Sequence, residues 1–231
     1  MRKLLTWITA LMIGTSAPAA WAQNTVVVEL FTSQGCSACP PADELLGRLG
    51  KRDNVIALAL HVDYWDYIGW KDKFANPAFT KRQKGYARSF DSRSIYTPQM
   101  VVNGVQDVVG NRPMDVSDAV QAHANKGLPV SLDIARNGNT LSIKAEGKVG
   151  IPSADIILVR YTPSQKVDIP RGENAGKSMT YTHIVTEWKD IGDWNGRSPI
   201  QESVSVEGDA PVVVLVQAKN HGPILAAARL R

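Results

Sequence analysis

The chain has 231 residues, of which 44% are hydrophobic and 21% charged, so its composition provides for one or two globular domains with packed cores. The formal net charge of +4 is not gathered into a Lys/Arg run or a basic stripe interleaved with aromatics, which excludes an ordinary nucleic-acid surface. Only two cysteines are present, three positions apart, which excludes a disulfide framework stapling distant segments.

Residues 1–22 read as an export signal that is removed. Arg2 and Lys3 precede the apolar stretch Leu4–Ile13, and Ala20-Trp21-Ala22 has the small-x-small pattern of a cleavage site. The apolar stretch falls short of the roughly 20 residues a membrane helix needs, and no later segment reaches that length. The expected location is therefore outside the cytoplasm, in a bacterial periplasm or the medium, without stable membrane insertion. Removing residues 1–22 leaves 24 Lys and Arg against 22 Asp and Glu, a net charge of +2.

Val26 to Phe31 is nearly all apolar and β-branched, as expected of a strand buried on both faces. The turn Thr32-Ser33-Gln34-Gly35 leads into Cys36-Ser37-Ala38-Cys39, and Ala42, Leu45, Leu46 and Leu49 then follow at helical spacing up to Gly50. Val55 to Leu60 supplies a second strand, parallel to the first after the helical crossover. Both cysteines thus stand at the first strand-to-helix junction of a βαβ unit.

The stretch HVDYWDYIGWKDKF opens a helical insertion near residues 63–94. Thr97 to Val109 reads as a hairpin turning at Asn103-Gly104. A helix follows with Val116, Ala119, Val120 and His123 inward, ending at Gly127. Residues 23–127 form the expected α/β domain, a mixed sheet flanked by helices. From Leu128 the texture turns to alternating strands, around 130–134, 141–145, 156–159, 204–206, 212–216 and 224–228, predicting a β-rich, sandwich-like domain over residues 128–231.

Cysteines at i and i+3 in the first turn of a helix lie on one face and close a small disulfide. Unpaired N–H groups and the helix dipole at that terminus stabilise a thiolate. This makes Cys36 the attacking sulfur and Cys39 the resolving one.

The order strand, C-x-x-C, helix, strand, helix, Thr-Pro, hairpin, helix resembles the thioredoxin fold. The stretches ELFTSQGCSACPPAD, HVDYWDYIGWKD and YTPQMVVNG, with RGENAG and TYTHIV further on, resemble the exported thioredoxin-like family catalogued as domain of unknown function 1223. The resemblance covers essentially the whole chain after the signal and is specific for membership, not for substrate. It implies that Pro98 occupies the place of the cis-proline facing the disulfide, with Thr97 before it, where free backbone groups bind a peptide as an added strand. It also implies a buried carboxylate that accepts the resolving thiol's proton, a role open to Glu29 if a bulge turns it inward. The alternative for Glu29 is a solvent-facing position.

His61 and Asp63 follow the second strand as Cys36 follows the first, so they reach the same sheet edge. His61 there either tunes the Cys36 thiol, joins Cys36 and Cys39 around copper or zinc, or bonds only to its own loop. Tyr64, Trp65, Tyr67 and Trp70 are expected in the core, with a substrate groove as the rival reading. Arg171 to Asn174 reads as a surface loop, and His183 has no catalytic spacing. Triad, phosphate-loop and H-E-x-x-H patterns are absent.

The leading expectation is an exported thiol:disulfide oxidoreductase with no cofactor, acting on protein thiols or disulfides or on a membrane redox partner. The rivals are a Cu(I)-handling protein using Cys36, Cys39 and His61, and a binding module whose disulfide is structural.

Overall fold

The computed structural model describes residues 25–231. The expected signal, residues 1–22, lies outside the described residues.

Strands β1 (Val26–Thr32) and β2 (Val55–His61) run parallel, in register from Val26 opposite Val55 to Thr32 opposite His61. Helix α1 (Pro40–Leu49) connects them. β3 (Gln99–Val102) pairs antiparallel with β1, and β4 (Gln106–Val109) with β3. Asn103 and Gly104 form the turn with φ of 49° and 66°, the left-handed region that Asn and Gly tolerate best. Every residue of β1 and β2 is buried, because both sheet faces are covered. Val26, Val28, Leu30, Val55, Ala57 and Ala59 pack against α1 and α3 (Pro113–Lys126). Val27, Phe31, Ile56, Leu58 and Leu60 pack on the opposite face with Phe79 and Tyr86 of α2 (Pro77–Ser89). Since side chains alternate along a strand, Thr32 and His61 fall on the α1 face and Glu29 on the α2 face.

The second half is less separate than its sequence suggests. β7 (Ala154–Ile169), β8 (Lys177–Trp194), β10 (Val212–Ala218) and β11 (Ile224–Leu230) join the same sheet, giving the strand order β11-β10-β7-β8-β2-β1-β3-β4. β8 lies parallel beside β2, with Ile184 opposite Ala59. A three-stranded sheet of β5 (Val130–Asn137), β6 (Thr140–Gly147) and β9 (Ile200–Ser205) packs over the outer strands through Leu132, Leu141 and Ile143 against Ile156, Leu158 and Val214. Residues 128–231 thus contribute to two packed sheets, a small one of their own and an extension of the first half's sheet. The strand that makes the join, β8, is 18 residues long and mostly polar, so no apolar run marks it. Among the described residues, no helix is long and apolar enough to cross a membrane.

Candidate functional site

Cys36 and Cys39 form a disulfide with a Cα separation of 5.4 Å. Pro40 and Pro41 occupy the first helical positions, where a missing N–H is harmless, so Cys39 is the N-cap of α1 and Cys36 lies in the turn before it. This differs from the expectation that both cysteines sit within the first helical turn. It also leaves fewer N–H donors at that terminus, and the Ser37 N–H is taken by the Glu173 carboxylate at 3.3 Å.

The disulfide is covered: Cys36 is 2% exposed and Cys39 fully buried, while Ser37 and Ala38 project into solvent. Three segments close over it. In the insertion, Trp70 Nε1 donates to Gln34 Oε1 at 2.8 Å, and Asp72 Oδ2 accepts from the Gln34 backbone N–H at 2.8 Å. In the β7–β8 loop, Asn174 Nδ2 donates to the carbonyls of Gln34 and Cys36, both at 2.9 Å. In the β4–α3 loop, Asn111 reaches the Ala38 carbonyl at 3.5 Å. A Cβ at Gly35 would come within 3.2 Å of the Trp65 Cβ, so the insertion packs closely on the turn.

Behind the disulfide lies a polar cluster inside the protein. Asp43 follows Cys39 by one helical turn, on the same face of α1 and pointing back toward the N-terminus. It is 6% exposed, and its Oδ2 has no hydrogen-bond partner among the described residues. Burial pushes its carboxyl up to about 7; His61 and the Thr32 hydroxyl partly oppose this, and Asp72 adds to it. The Thr32 Oγ1 stands near enough to temper Asp43 yet makes no full hydrogen bond of its own. His61 and Asp72 have fully buried side chains joined Nδ1 to Oδ2 at 2.6 Å, and the His61 Nε2 is also unpartnered. Phe74 and Tyr181 meet the imidazole edge-on, each with ring centroids 5.1 Å away.

The sequence-predicted residues divide accordingly. The Thr97–Pro98 bond is cis, Pro98 is buried, and the Thr97 Oγ1 accepts from Trp65 Nε1 at 2.7 Å. A Cβ on Gly110 would meet both the Ala42 and Pro98 Cβ atoms at 3.2 Å, so the proline borders the start of α1. His61 lies at the end of β2 on the α1 face, opposite Thr32, and couples to Asp43. Glu29 is fully buried but engaged elsewhere: Arg82 Nε and Nη2 donate to its two oxygens at 2.5 and 2.9 Å, and Tyr86 Oη donates at 2.5 Å. No bulge turns it toward α1. Asp63 accepts from the Thr80 hydroxyl at 2.5 Å, away from the cluster.

Cys36, Cys39 and His61 are not assembled as a ligand set. The sulfurs are bonded to each other, and among the described residues no three His, Cys, Asp or Glu side chains gather as a metal would require. Of the aromatic cluster, Tyr64 and Trp65 pack on the main core, Trp70 on Val167, Ile169 and Tyr181, and Tyr67 is 81% exposed. The loop at Arg171–Asn174, expected to be bare surface, carries the buried Asn174 that holds the cysteine turn. His183 packs against Tyr161, and burial lowers its pKa to about 4.

Asp43, Asp72 and Asn174 are the functional candidates that sequence reasoning passed over. A signal did exist for Asp43, since a carboxylate at i+4 from Cys39 shares its helix face. Nothing local marked the other two.

The family model described as "Protein of unknown function (DUF1223)" matches residues 27–217. The crystal structure of protein AGR_C_4864 from Agrobacterium tumefaciens is 34% identical, with a TM-score of 0.77, over 89% of this chain and 93% of that one. HBP35 of Porphyromonas gingivalis has a TM-score of 0.64 at 14% identity, over 90% of this chain and 75% of that one, a likeness of fold alone. No curated protein sequence matches this chain.

Proposed function

The chain belongs to the DUF1223 family of proteins of unknown function, and on the geometry of its disulfide we propose that it is a thiol:disulfide oxidoreductase whose first half is thioredoxin-like. Cys36 is the attacking sulfur and Cys39 the resolving one. The observation that carries this reading is Asp43, a buried carboxyl with an unpartnered oxygen on the Cys39 face of α1. A disulfide that only clasps the chain has no use for a proton acceptor. An exchanging one does, because the resolving thiol must lose its proton to attack. Asp43 takes the role that Glu29 was expected to fill.

The exposed Ser37-Ala38 tip, next to the disulfide, supports a site for an extended thiol-bearing chain. The signal-like residues 1–22 support export, with exported protein thiols or a membrane redox partner as the substrate class. The test is equilibration with glutathione buffers. A potential between about −120 and −270 mV accords with exchange, and Cys36→Ser abolishes it while the protein stays folded.

One observation favours a second reading, a structural clasp: Cys36 is only 2% exposed beneath its covering loops. A potential below roughly −300 mV would select that reading and end the first.

A further inference from the structure

We infer that His61 and Asp72 form a buried positioning dyad that draws the proton of Cys39 through Asp43, making a relay from Cys39 to Asp43 to His61, backed by Asp72. The inference rests on the oxidoreductase reading above and assigns the residues that stand behind its carboxyl.

The hydrogen-bond pattern fixes the polarity of the dyad. Asp72 Oδ2 accepts from the Gln34 N–H and Oδ1 accepts from the Phe74 N–H, so this carboxylate is an acceptor on both oxygens. The proton in its 2.6 Å bond to His61 therefore belongs on Nδ1, which leaves Nε2 with a bare lone pair. Phe74 and Tyr181 fix the ring plane. Three buried polar atoms without hydrogen-bond partners, Thr32 Oγ1, Asp43 Oδ2 and His61 Nε2, belong to residues that meet at the α1 face. Thr32 and His61 are register partners at the carboxyl ends of β1 and β2, and both couple to Asp43 from the helix above. Such a set suits either direct transfer or one bridging water. The groups facing Asp43 are Cys39 on its own helix, Thr32 and His61 from the strands, Asp72 from the insertion and Tyr181 from β8. None of them is Lys or Arg, so no fixed cation competes for the role of His61.

In a mixed disulfide between Cys36 and a partner thiol, Cys39 gives its proton to the Asp43 carboxylate and its sulfur attacks the Cys36 sulfur. The bond between Cys36 and the partner breaks, and the partner leaves as a thiolate carrying the electron pair. Cys36 and Cys39 end as the disulfide, oxidised by two electrons relative to the dithiol, and the partner disulfide has been reduced. Asp43 passes its proton to Nε2, which holds it until the disulfide is next reduced and Cys39, leaving as a thiolate, takes it back through Asp43.

The experiment mixes the reduced protein with oxidised glutathione, quenches with acid and follows the Cys36–glutathione adduct by mass spectrometry. Asp72→Asn removes the negative charge that favours a protonated ring, so His61 draws the proton from Asp43 less strongly. The expected result is resolution slowed by about tenfold or more, with the adduct formed at a rate within about twofold of the parent. His61→Phe preserves the packing against Phe74 and Tyr181 and should slow resolution likewise, so the inference stays testable if the Asn variant does not fold. Ring 15N NMR of the parent should report Nδ1–H and a bare Nε2. Unchanged resolution in His61→Phe, or a protonated Nε2 with a bare Nδ1 in the parent, overturns the relay. If the parent forms neither adduct nor disulfide, the oxidoreductase reading falls and takes the relay's use with it, a failure told apart by its presence before any substitution.

Discussion

Asn174 and Cys36, 138 positions apart, are joined by a hydrogen bond of 2.9 Å from the amide Nδ2 to the backbone carbonyl. The same amide holds the Gln34 carbonyl, so one buried side chain from the second half closes the turn that carries Cys36. Asn174→Ala leaves two carbonyls short of a partner, a local loss of about 1–3 kcal/mol. Reduction of the disulfide by dithiothreitol should accelerate roughly fivefold or more, followed by thiol release under native conditions. An unchanged rate would mean that the loop does not govern access.

The Glu173 carboxylate accepts from the Ser37 N–H, next to Cys36. A negative charge there opposes formation of the Cys36 thiolate. Glu173→Gln should move the pH dependence of Cys36 alkylation in the reduced protein to lower pH, by on the order of half a unit for so exposed a charge. Iodoacetamide rates across pH 5 to 10 would reveal it, and a shift to higher pH would contradict the assignment.

Asp43 carries a pH signature of its own. Its carboxyl titrates at about 7 in the folded protein, against an ordinary 3.8, because burial disfavours the charged form. Between those values the unfolded chain releases a proton that the folded one retains. The stabilising contribution is thus complete below pH 4, is lost as pH rises toward 7, and stays lost above it. Urea unfolding of the oxidised protein should show this decline, at up to about 1.4 kcal/mol per pH unit for this one group. Asp43→Asn should flatten it; an identical decline in the variant would place the titration elsewhere.

Glu29 and Arg82 make a buried ion pair, with the guanidinium 3.9 Å from the Trp188 ring centroid. Arg82→Met strands the Glu29 charge and should cost about 3–5 kcal/mol in urea unfolding. Because the pair lies on the α2 face, the glutathione equilibrium of the folded variant should not change. A changed pH profile of exchange would restore Glu29 as a proton carrier.

Where the interactions are local, the sequence was readable. The strand-helix-strand unit around the cysteines, the Asn103-Gly104 turn and the inward Val116, Ala119, Val120 and His123 of α3 follow from spacing and turn chemistry, and all four of those helix residues are buried. Strand parity could also have been read: Glu29 shares a face with Val27 and Phe31, not with Val28 and Leu30. Non-local pairing hid the rest. β8 has no apolar run because much of it is half-exposed, and its place beside β2 is set by tertiary contact. Asp72 and Asn174 look like ordinary loop residues until the chain folds the insertion and the β7–β8 loop over the cysteine turn.

The position of β8 beside β2 bears on how the molecule is made. β2 ends at His61 and β8 begins at Lys177, so the strand that borders β2 is synthesised more than a hundred residues after it. Until then the flank of β2 around Ala59 has no strand beside it and is open to any other extended chain. A fragment cut near residue 127 keeps that flank bare permanently, which predisposes it to aggregate and makes the cysteine-bearing half a poor cassette for grafting onto other proteins. Completion of the sheet, and of the cover over the disulfide, waits on the last third of the chain.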